Sequence, residues 1–306
     1  MVYVVWGSTY LAIAFAIDTM PPMVALGTRF AAAAAAMAAY LLVRRGPRGL
    51  RVERRELGGA VVIGVLLLGV GMGVLSLAER VVPTGIAALI VAVVPLYIAL
   101  LRALTGDRPP WITWVGIAIG LVGIGLLVLP GNHADGGSDL AAQRTLWSLL
   151  MLGGTFAWAL GTFLQPRIRV PRDPLVLSTY EMLTGAVVLT GLGLLRGERV
   201  SDMAHASAAS WWGWIYLVTI GSLVAFTAYV WVAGHAPVSL VATYAYVNPV
   251  VAVLLGWWLR GESLSLGLLV GAAVVVAGVA LVVSAERIAG RRAEADLLVD
   301  PCQAER

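Results

Sequence analysis

Two charged residues lie deep inside apolar stretches of the sequence and are its first candidates for chemistry. Arg29 and Glu181 are each far enough from the ends of such a stretch to lie within a bilayer, where a charge costs about 2.5 to 3.5 kcal/mol on insertion scales. The Arg29 guanidinium could bind a substrate carboxylate or phosphate, or it could pair with Asp18 or Glu79 at an outer helix end. The Glu181 carboxyl could load and release a proton, because apolar surroundings penalise its charged form, or it could be a neutral structural acid. Glu79 and Glu262, near helix ends, are expected to be solvated or capping charges.

Polar and aromatic side chains in the middle of the apolar stretches form a second group of candidates. They can change partners without the desolvation cost of a charge, although hydroxyl groups at such positions also simply bond neighbouring helices. Asn248 precedes Pro249, which removes a backbone donor and predicts a kink whose freed carbonyls could line a wet cavity. The residues expected to bind substrate are Trp6, Ser8, Thr9, Tyr10, Arg29, Trp158, Thr162, Tyr244, Tyr246 and Asn248, and the expected proton-coupling residue is Glu181.

The composition excludes several functional classes. Hydrophobic residues make up 60% of the 306 and charged residues 12%, with a mean hydropathy of +0.89, whereas soluble proteins carry about 25% charged residues. All 21 basic residues are arginine, and their placement in loops indicates membrane topology rather than nucleic-acid binding. Cys302 and the three histidines show no metal-ligand spacing, so we expect no metal and no cofactor.

The apolar stretches predict an all-α integral membrane protein with ten transmembrane helices, because each is long enough to cross about 30 Å of hydrocarbon. Most loop arginines fall on one side of this arrangement, which predicts an inner (plasma) membrane protein with both termini cytoplasmic. The predicted spans are Val2–Ile17, Met23–Val43, Leu57–Ala78, Thr84–Leu104, Trp111–Leu129, Leu146–Leu164, Leu175–Leu195, Trp211–Val232, Val238–Leu259 and Leu264–Ala285.

The same landmarks occur twice along the chain, in the same order. Because each copy holds five spans, an odd number, the second copy is expected to enter the bilayer from the opposite face. We predict two inverted five-helix repeats, at residues 1–131 and 146–285, joined by an external linker at 132–145 and followed by a cytoplasmic tail at 286–306. The recurring pairs are Trp6 and Trp158, Pro22 and Pro174, Arg29 and Glu181, Pro83 and Pro237, Pro95 and Pro249, Gly116 and Gly271, and Gly123 and Gly278.

Several short strings carry a family resemblance. They are Trp6-Gly7-Ser8-Thr9-Tyr10, Pro21-Pro22, Arg29-Phe30, Pro83-Thr84-Gly85-Ile86-Ala87-Ala88, Val94-Pro95, the run from Tyr244 to Gly256, and Gly261-Glu262. In this order and spacing they resemble EamA-type proteins of the drug/metabolite transporter superfamily. The resemblance implies two inverted repeats of five helices, a central cavity lined mainly by the first four helices of each repeat, and export of small metabolites or drugs.

These observations favour a secondary transporter that works by alternating access. We expect it to export small metabolites, amino-acid-like compounds or drugs, with proton coupling through Glu181. An uncoupled facilitator and a channel are the alternatives. An intramembrane enzyme is disfavoured because the spans contain no metal-binding or nucleophilic motif, and ATP is not expected to drive the cycle because a Walker-type phosphate-binding loop is missing.

The expected partners follow from this interpretation. They are a small-molecule substrate and the lipid bilayer, and no nucleic acid is expected. Gly116 and Gly120 in span five, like Gly267 and Gly271 in span ten, are four residues apart. This spacing lets helix backbones approach closely, so it could serve packing within the chain or a homodimer.

Overall fold

The computed structural model describes residues 2–106, 109–128, 138–236 and 247–299, and within these ranges the chain is helical and contains no β-strand. Two short 3₁₀ turns, Pro47–Leu50 and Val200–His205, follow the second and seventh helices. The helices are α1 (Val2–Ile17), α2 (Pro22–Arg45), α3 (Arg54–Ala78), α4 (Thr84–Leu104), α5 (Trp111–Val128), α6 (Ser138–Leu164), α7 (Pro174–Leu195), α8 (Ala208–His235), α9 (Val247–Arg260) and α10 (Leu266–Val299).

The helices account for the apolar stretches of the sequence. In the described part of the chain, eight of them are long and apolar enough to cross a membrane, whereas α1 and α9 are shorter apolar helices. Eight of the ten predicted spans therefore match helices of spanning length, and α9 is described from Val247 only. Two helices run further than predicted: α6 begins at Ser138, within the segment predicted as a linker, and α10 continues to Val299, within the predicted tail.

Helices α3 and α8 each change to π-helical winding in the middle part of the helix. The wider segments are Val65–Met72 in α3 and Leu217–Phe226 in α8, and they occupy equivalent positions in the two halves of the sequence. Helix α4 is also interrupted, with a break between Val91 and Val94 immediately before Pro95. Because π-helical turns are frequently found at functional sites, α3 and α8 mark a region where a site is expected.

Two pairs of helices make the most extensive contacts, and both pairs run antiparallel. On α5 and α10, Gly116 lies against Val282 and Gly123 against Val275, so the contacts move in opposite directions along the two helices. Glycine makes this spacing possible because a Cβ on Gly123 would lie 2.7 Å from the backbone nitrogen of Val275. The predicted packing role is thus confirmed inside the chain for Gly116, Gly120 and Gly271.

Helices α2 and α7 pack in the same way. Gly27 of α2 lies against Thr190 near the end of α7, while Arg45 at the end of α2 forms an ion pair with Asp173 at the start of α7. Each helix pair joins sequence-equivalent helices of the two halves. The connection after α2 and the connection before α7 therefore meet at one end of the bundle.

Carboxylates cover the first turns of three helices. Asp173 accepts a hydrogen bond of 2.9 Å from the backbone N–H of Leu175 in α7. Glu198 accepts from Val24 at the start of α2, and Glu262 accepts from Thr84 and Gly85 at the start of α4. Two of these helices start with proline at the first position, and a negative charge at a helix N-terminus is favourable because the first N–H groups lack helical partners.

The cap on α7 leads to a prediction. Partial burial raises the pKa of the Asp173 carboxyl, but hydrogen bonds from Arg45 and Leu175 and the charge of Arg45 outweigh it, so this pKa lies below its ordinary value. Asp173→Ala should destabilise the protein by about 1 kcal/mol through the lost cap. Asp173→Asn keeps a good capping group and loses only a partly exposed ion pair, so it should cost less. Unfolding by SDS in mixed micelles would measure both variants.

The sign of the pH dependence follows from the lowered pKa. The stabilisation is complete above the pKa of Asp173 in the unfolded chain and is lost as the pH falls through the folded value. The difference between wild type and Asp173→Ala should therefore shrink in acid. A difference that stays constant down to strongly acidic pH would show that the carboxylate charge has no part in the cap.

Candidate substrate cavity

A cavity of about 60 Å³ lies among α1, α2, α3, α4, α6 and α8, beside both π-helical segments. This volume leaves room for ordered water beside polar groups. Its wall is mainly apolar and aromatic. The side chains and glycines that line it are Trp6, Thr9, Tyr10, Arg29, Phe30, Leu68, Gly71, Met72, Leu75, Val91, Met151, Gly154, Thr155, Trp158, Gly221 and Phe226.

Three aromatic rings meet beside the cavity, and two of them line it. Trp6 and Trp158 pack edge to face with their ring centroids 5.7 Å apart. Tyr229 of α8 lies against both, with centroid distances of 4.6 Å to Trp6 and 5.7 Å to Trp158. The Tyr229 hydroxyl forms a short hydrogen bond with Thr162, whose own hydroxyl lies 2.9 Å from the carbonyl oxygen of Trp158. The two sequence-equivalent tryptophans thus form one wall, held in place by a tyrosine.

Arg29 brings a charged group into this apolar cavity and is only 3% exposed. Its Nε donates a hydrogen bond of 2.9 Å to Ser222 Oγ in the π-helical part of α8, and its guanidinium lies over the Phe30 ring at 4.7 Å. Nη1 is buried without a hydrogen-bond partner among the described residues. The proposed pairing with Asp18 is not observed, because Asp18 forms a bidentate ion pair with Arg260 instead.

Glu181 is fully buried but lies outside the cavity wall. Both carboxyl oxygens are buried without a hydrogen-bond partner among the described residues. Its backbone packs against Gly64 of α3, and its side chain is close enough to Tyr229 for an electrostatic interaction. Glu181 and Arg29 form no ion pair among the described residues.

The other sequence candidates divide into groups. Thr9 and Tyr10 line the cavity beside Trp6, and the Thr9 hydroxyl donates to the carbonyl oxygen of Trp6. Ser8 instead faces α8, where its hydroxyl lies 2.6 Å from that of Tyr216. Thr162 and Asn248 are buried but are not part of the cavity wall. Tyr244 and Tyr246 lie outside the described residues.

Several residues of the site were not selected from the sequence. Phe30, Ser222 and Tyr229 contact the principal groups, and Thr155 adds a hydroxyl to the wall. Ser222, Tyr229 and Thr155 satisfy the rule that selected Thr162, since each is a polar residue in the middle of an apolar span. That rule could have found them, whereas nothing in the sequence indicates which side of its helix Phe30 covers.

The outer acidic residues also differ from one another. Glu262 caps α4, as expected of a charge at a helix end. Glu79 is only 8% exposed, and both of its carboxyl oxygens are buried without a hydrogen-bond partner among the described residues. The expectation that Glu79 is solvated or capping is therefore wrong, because the end of α3 packs beneath neighbouring helices.

Comparisons with known proteins are consistent with this architecture. The EamA-like transporter family model matches residues 1–129 and 145–284. The chain is 39% identical over 282 residues to the inner membrane transporter YedA of Escherichia coli strain K12, covering 90% of this chain and 87% of that protein. It is 27% identical over 294 residues to a Streptantibioticus cattleyicolor protein named a probable terminal-alkyne amino-acid exporter, covering 95% of this chain and 93% of that protein. A protein crystal structure whose sequence is 22% identical aligns with a TM-score of 0.66, over 92% of this chain and 94% of the chain in that structure. This similarity indicates the same fold.

Proposed function

The chain belongs to the EamA-like transporter family, and we propose that this membrane transporter is a proton-coupled secondary transporter that exports small metabolites from the cytoplasm. The observation that carries the proposal is the central cavity, which both halves of the chain line and which holds Arg29 in an apolar wall. A site shared by two halves can open to one side and then to the other as the halves rock against each other. Alternating access is the cycle that this geometry supports best.

The arrangement proposed for this cycle is two inverted repeats of five helices. It is supported by the antiparallel packing of α5 with α10 and of α2 with α7, since each pair joins sequence-equivalent helices. The π-helical segments of α3 and α8 are equivalent in the same sense, and residues of both line the cavity. The arginine-rich connection after α2 meets the connection before α7, which favours placing both connections and both termini in the cytoplasm of a plasma-membrane protein.

The proposed direction of transport and the proposed cargo are supported by the shape of the cavity and by similarity to a protein named as an exporter. Flat aromatic and apolar surfaces accept small molecules with apolar bodies without requiring one shape. The relative from Streptantibioticus cattleyicolor carries the name of an amino-acid exporter. Small amphipathic or amino-acid-like metabolites are therefore the proposed cargo, with drugs of similar size as further candidates.

Proton coupling is assigned to Glu181. It lies seven positions after Pro174 at the start of α7, a depth of about 10 Å at 1.5 Å per residue. A carboxyl group at such a depth favours its neutral form while it is buried and loses its proton once a conformational change admits water. Glu181 could thus exchange a proton with one side of the membrane in only one state of the cycle.

The test begins with identification of the cargo. Extracellular metabolites of a strain that overexpresses the protein would be compared with those of a strain that lacks it, and the most enriched compound would be loaded into proteoliposomes. A pH-sensitive dye inside the vesicles reports proton movement. Wild-type protein should move protons when a gradient of this compound is applied.

Glu181→Gln should lose proton movement driven by the compound and retain exchange of labelled for unlabelled compound, because exchange needs no net proton transfer. Asp139→Asn, which removes an exposed carboxylate at the start of α6, is the matched control and should retain both activities. An uncoupled facilitator predicts that Glu181→Gln leaves the pH dependence unchanged. That result would exclude Glu181 as the coupling group.

A further inference from the structure

The Arg29 guanidinium is a buried cation with an incomplete set of partners. Of its nitrogen atoms, Nε donates to Ser222, and Nη1 is buried without a partner among the described residues. Nη2 lies at the backbone of α8, since a Cβ on Gly221 would be 3.2 Å from it. The group is therefore held in position on one edge, while its other edge retains unused donors.

No carboxylate compensates this charge in the described part of the chain. None of the residues lining the cavity is acidic. Three outer acids have other partners: Asp18 binds Arg260, Glu198 covers the start of α2, and Glu262 covers the start of α4. The buried Glu79 carboxylate is not part of the cavity wall and forms no hydrogen bond with Arg29. An unpaired charge in an apolar site is unfavourable because it has lost its hydration without gaining a counter-charge. An anionic ligand would supply both the missing charge and the missing hydrogen-bond acceptors.

We propose that Arg29 and Ser222 bind the carboxylate of a monoanionic substrate whose small apolar body lies against Trp6, Trp158 and Leu75. This inference rests on the proposed function and narrows its cargo. A carboxylate presents two oxygens in the geometry that guanidinium donors match, and it carries the single negative charge that one arginine neutralises.

The charge balance separates this substrate class from two others. A phosphate dianion would leave one negative charge uncompensated in the apolar cavity. A cationic compound would add a second positive charge beside Arg29, and the residues lining the cavity offer it no carboxylate. Acids should therefore bind better than phosphates, neutral amides or amines with the same body.

A series of four compounds with nearly the same branched body tests this proposal by binding. Isovalerate is the monoanion, isovaleramide is neutral, isoamylamine is a cation and isoamyl phosphate is a dianion. Calorimetry on the full-length protein in lipid nanodiscs should show that isovalerate binds at least about tenfold more tightly than isovaleramide, since a charge-assisted hydrogen bond outweighs a neutral one. Equal binding of the acid and the amide, or tighter binding of the amine or the phosphate, would overturn the inference.

Variants at the site provide the second measurement. Arg29→Gln should abolish the preference for the acid, Arg29→Lys should retain part of it, and Ser222→Ala should reduce it severalfold. Arg199→Gln removes an exposed arginine and is the control. Size-exclusion profiles and melting temperatures would show that each variant is folded, and an undiminished preference in folded Arg29→Gln would refute the assignment.

Transport measurements separate this inference from the proposed function. Isovalerate that binds through Arg29 but is not moved by proteoliposomes would uphold the carboxylate site and count against the transport cycle. Transport of the amide or the amine without any preference for the acid would leave the cycle in place and overturn the substrate class.

Discussion

Gly278→Ala is expected to lower the stability strongly and to reduce the yield of folded protein, because a single methyl group at this position would overlap the backbone of another helix. A Cβ on Gly278 would lie 2.4 Å from the nitrogen of Gly120 and 2.8 Å from the carbonyl oxygen of Gly116. Backbone atoms cannot yield without separating α5 from α10, one of the two most extensive helix contacts in the structure. Overpacking of a core costs about 1 to 3 kcal/mol and occasionally more, and a clash with backbone belongs at the upper end of that range.

The control for this prediction lies on the partner helix. Gly125 of α5 has no atom within 4 Å of its would-be Cβ. Gly125→Ala should therefore be neutral or stabilising, since alanine is favoured over glycine in a helix by up to about 1 kcal/mol. The yield of monodisperse protein after detergent extraction and the midpoint of SDS unfolding would compare the two variants. Similar values for both would show that α5 and α10 do not approach as closely as described.

The helix positions could be predicted from the sequence because bilayer thickness fixes the length of an apolar span. Thr84–Leu104 was predicted and observed with the same ends. Polar ends were harder to place: α6 begins at Ser138 because residues such as Asp139 form exposed helical turns ahead of the apolar span. Hydrophobicity alone does not distinguish such turns from a linker.

The π-helical segments could not be predicted. Val65–Met72 and Leu217–Phe226 are apolar and rich in small residues, like many ordinary membrane helices. π-Helical winding depends on how neighbouring helices pack against the backbone, and the local sequence does not show that packing. The sequence repeat explains why the two segments occur at equivalent positions, but it does not predict that either segment is π-helical.

The site was predictable in part for a related reason. Trp6, Trp158 and Arg29 were selected by residue type and depth, and all three line the cavity. Glu181 meets the same criteria but is buried outside the cavity wall. In helices that are apolar on every side, periodicity does not show which side faces the cavity. The sequence therefore predicts how deep a residue lies in the membrane, but not whether its side chain faces the cavity.

Tyr229→Ala is expected to be the most disruptive change beside the cavity. The Tyr229 side chain is 1% exposed, and its ring contacts Trp6, Trp158 and Phe226. Truncation of a buried aromatic residue to alanine costs about 3 to 5 kcal/mol in packed cores. The two tryptophans would lose the surface that fixes them, so transport should fall together with stability.

Tyr229→Phe separates the ring from the hydroxyl group. The phenylalanine ring keeps the aromatic contacts, and the Thr162 hydroxyl keeps the carbonyl oxygen of Trp158 as a partner, so the cost should be about 0.5 to 1.5 kcal/mol. Thr162→Val removes the same hydrogen bond from the other side, and in a double-mutant cycle its effect should be less than additive with that of Tyr229→Phe. Additive effects would mean that the two hydroxyls stabilise the protein independently. A Tyr229→Ala variant no less stable than Tyr229→Phe would mean that the ring does not hold the tryptophan wall in place.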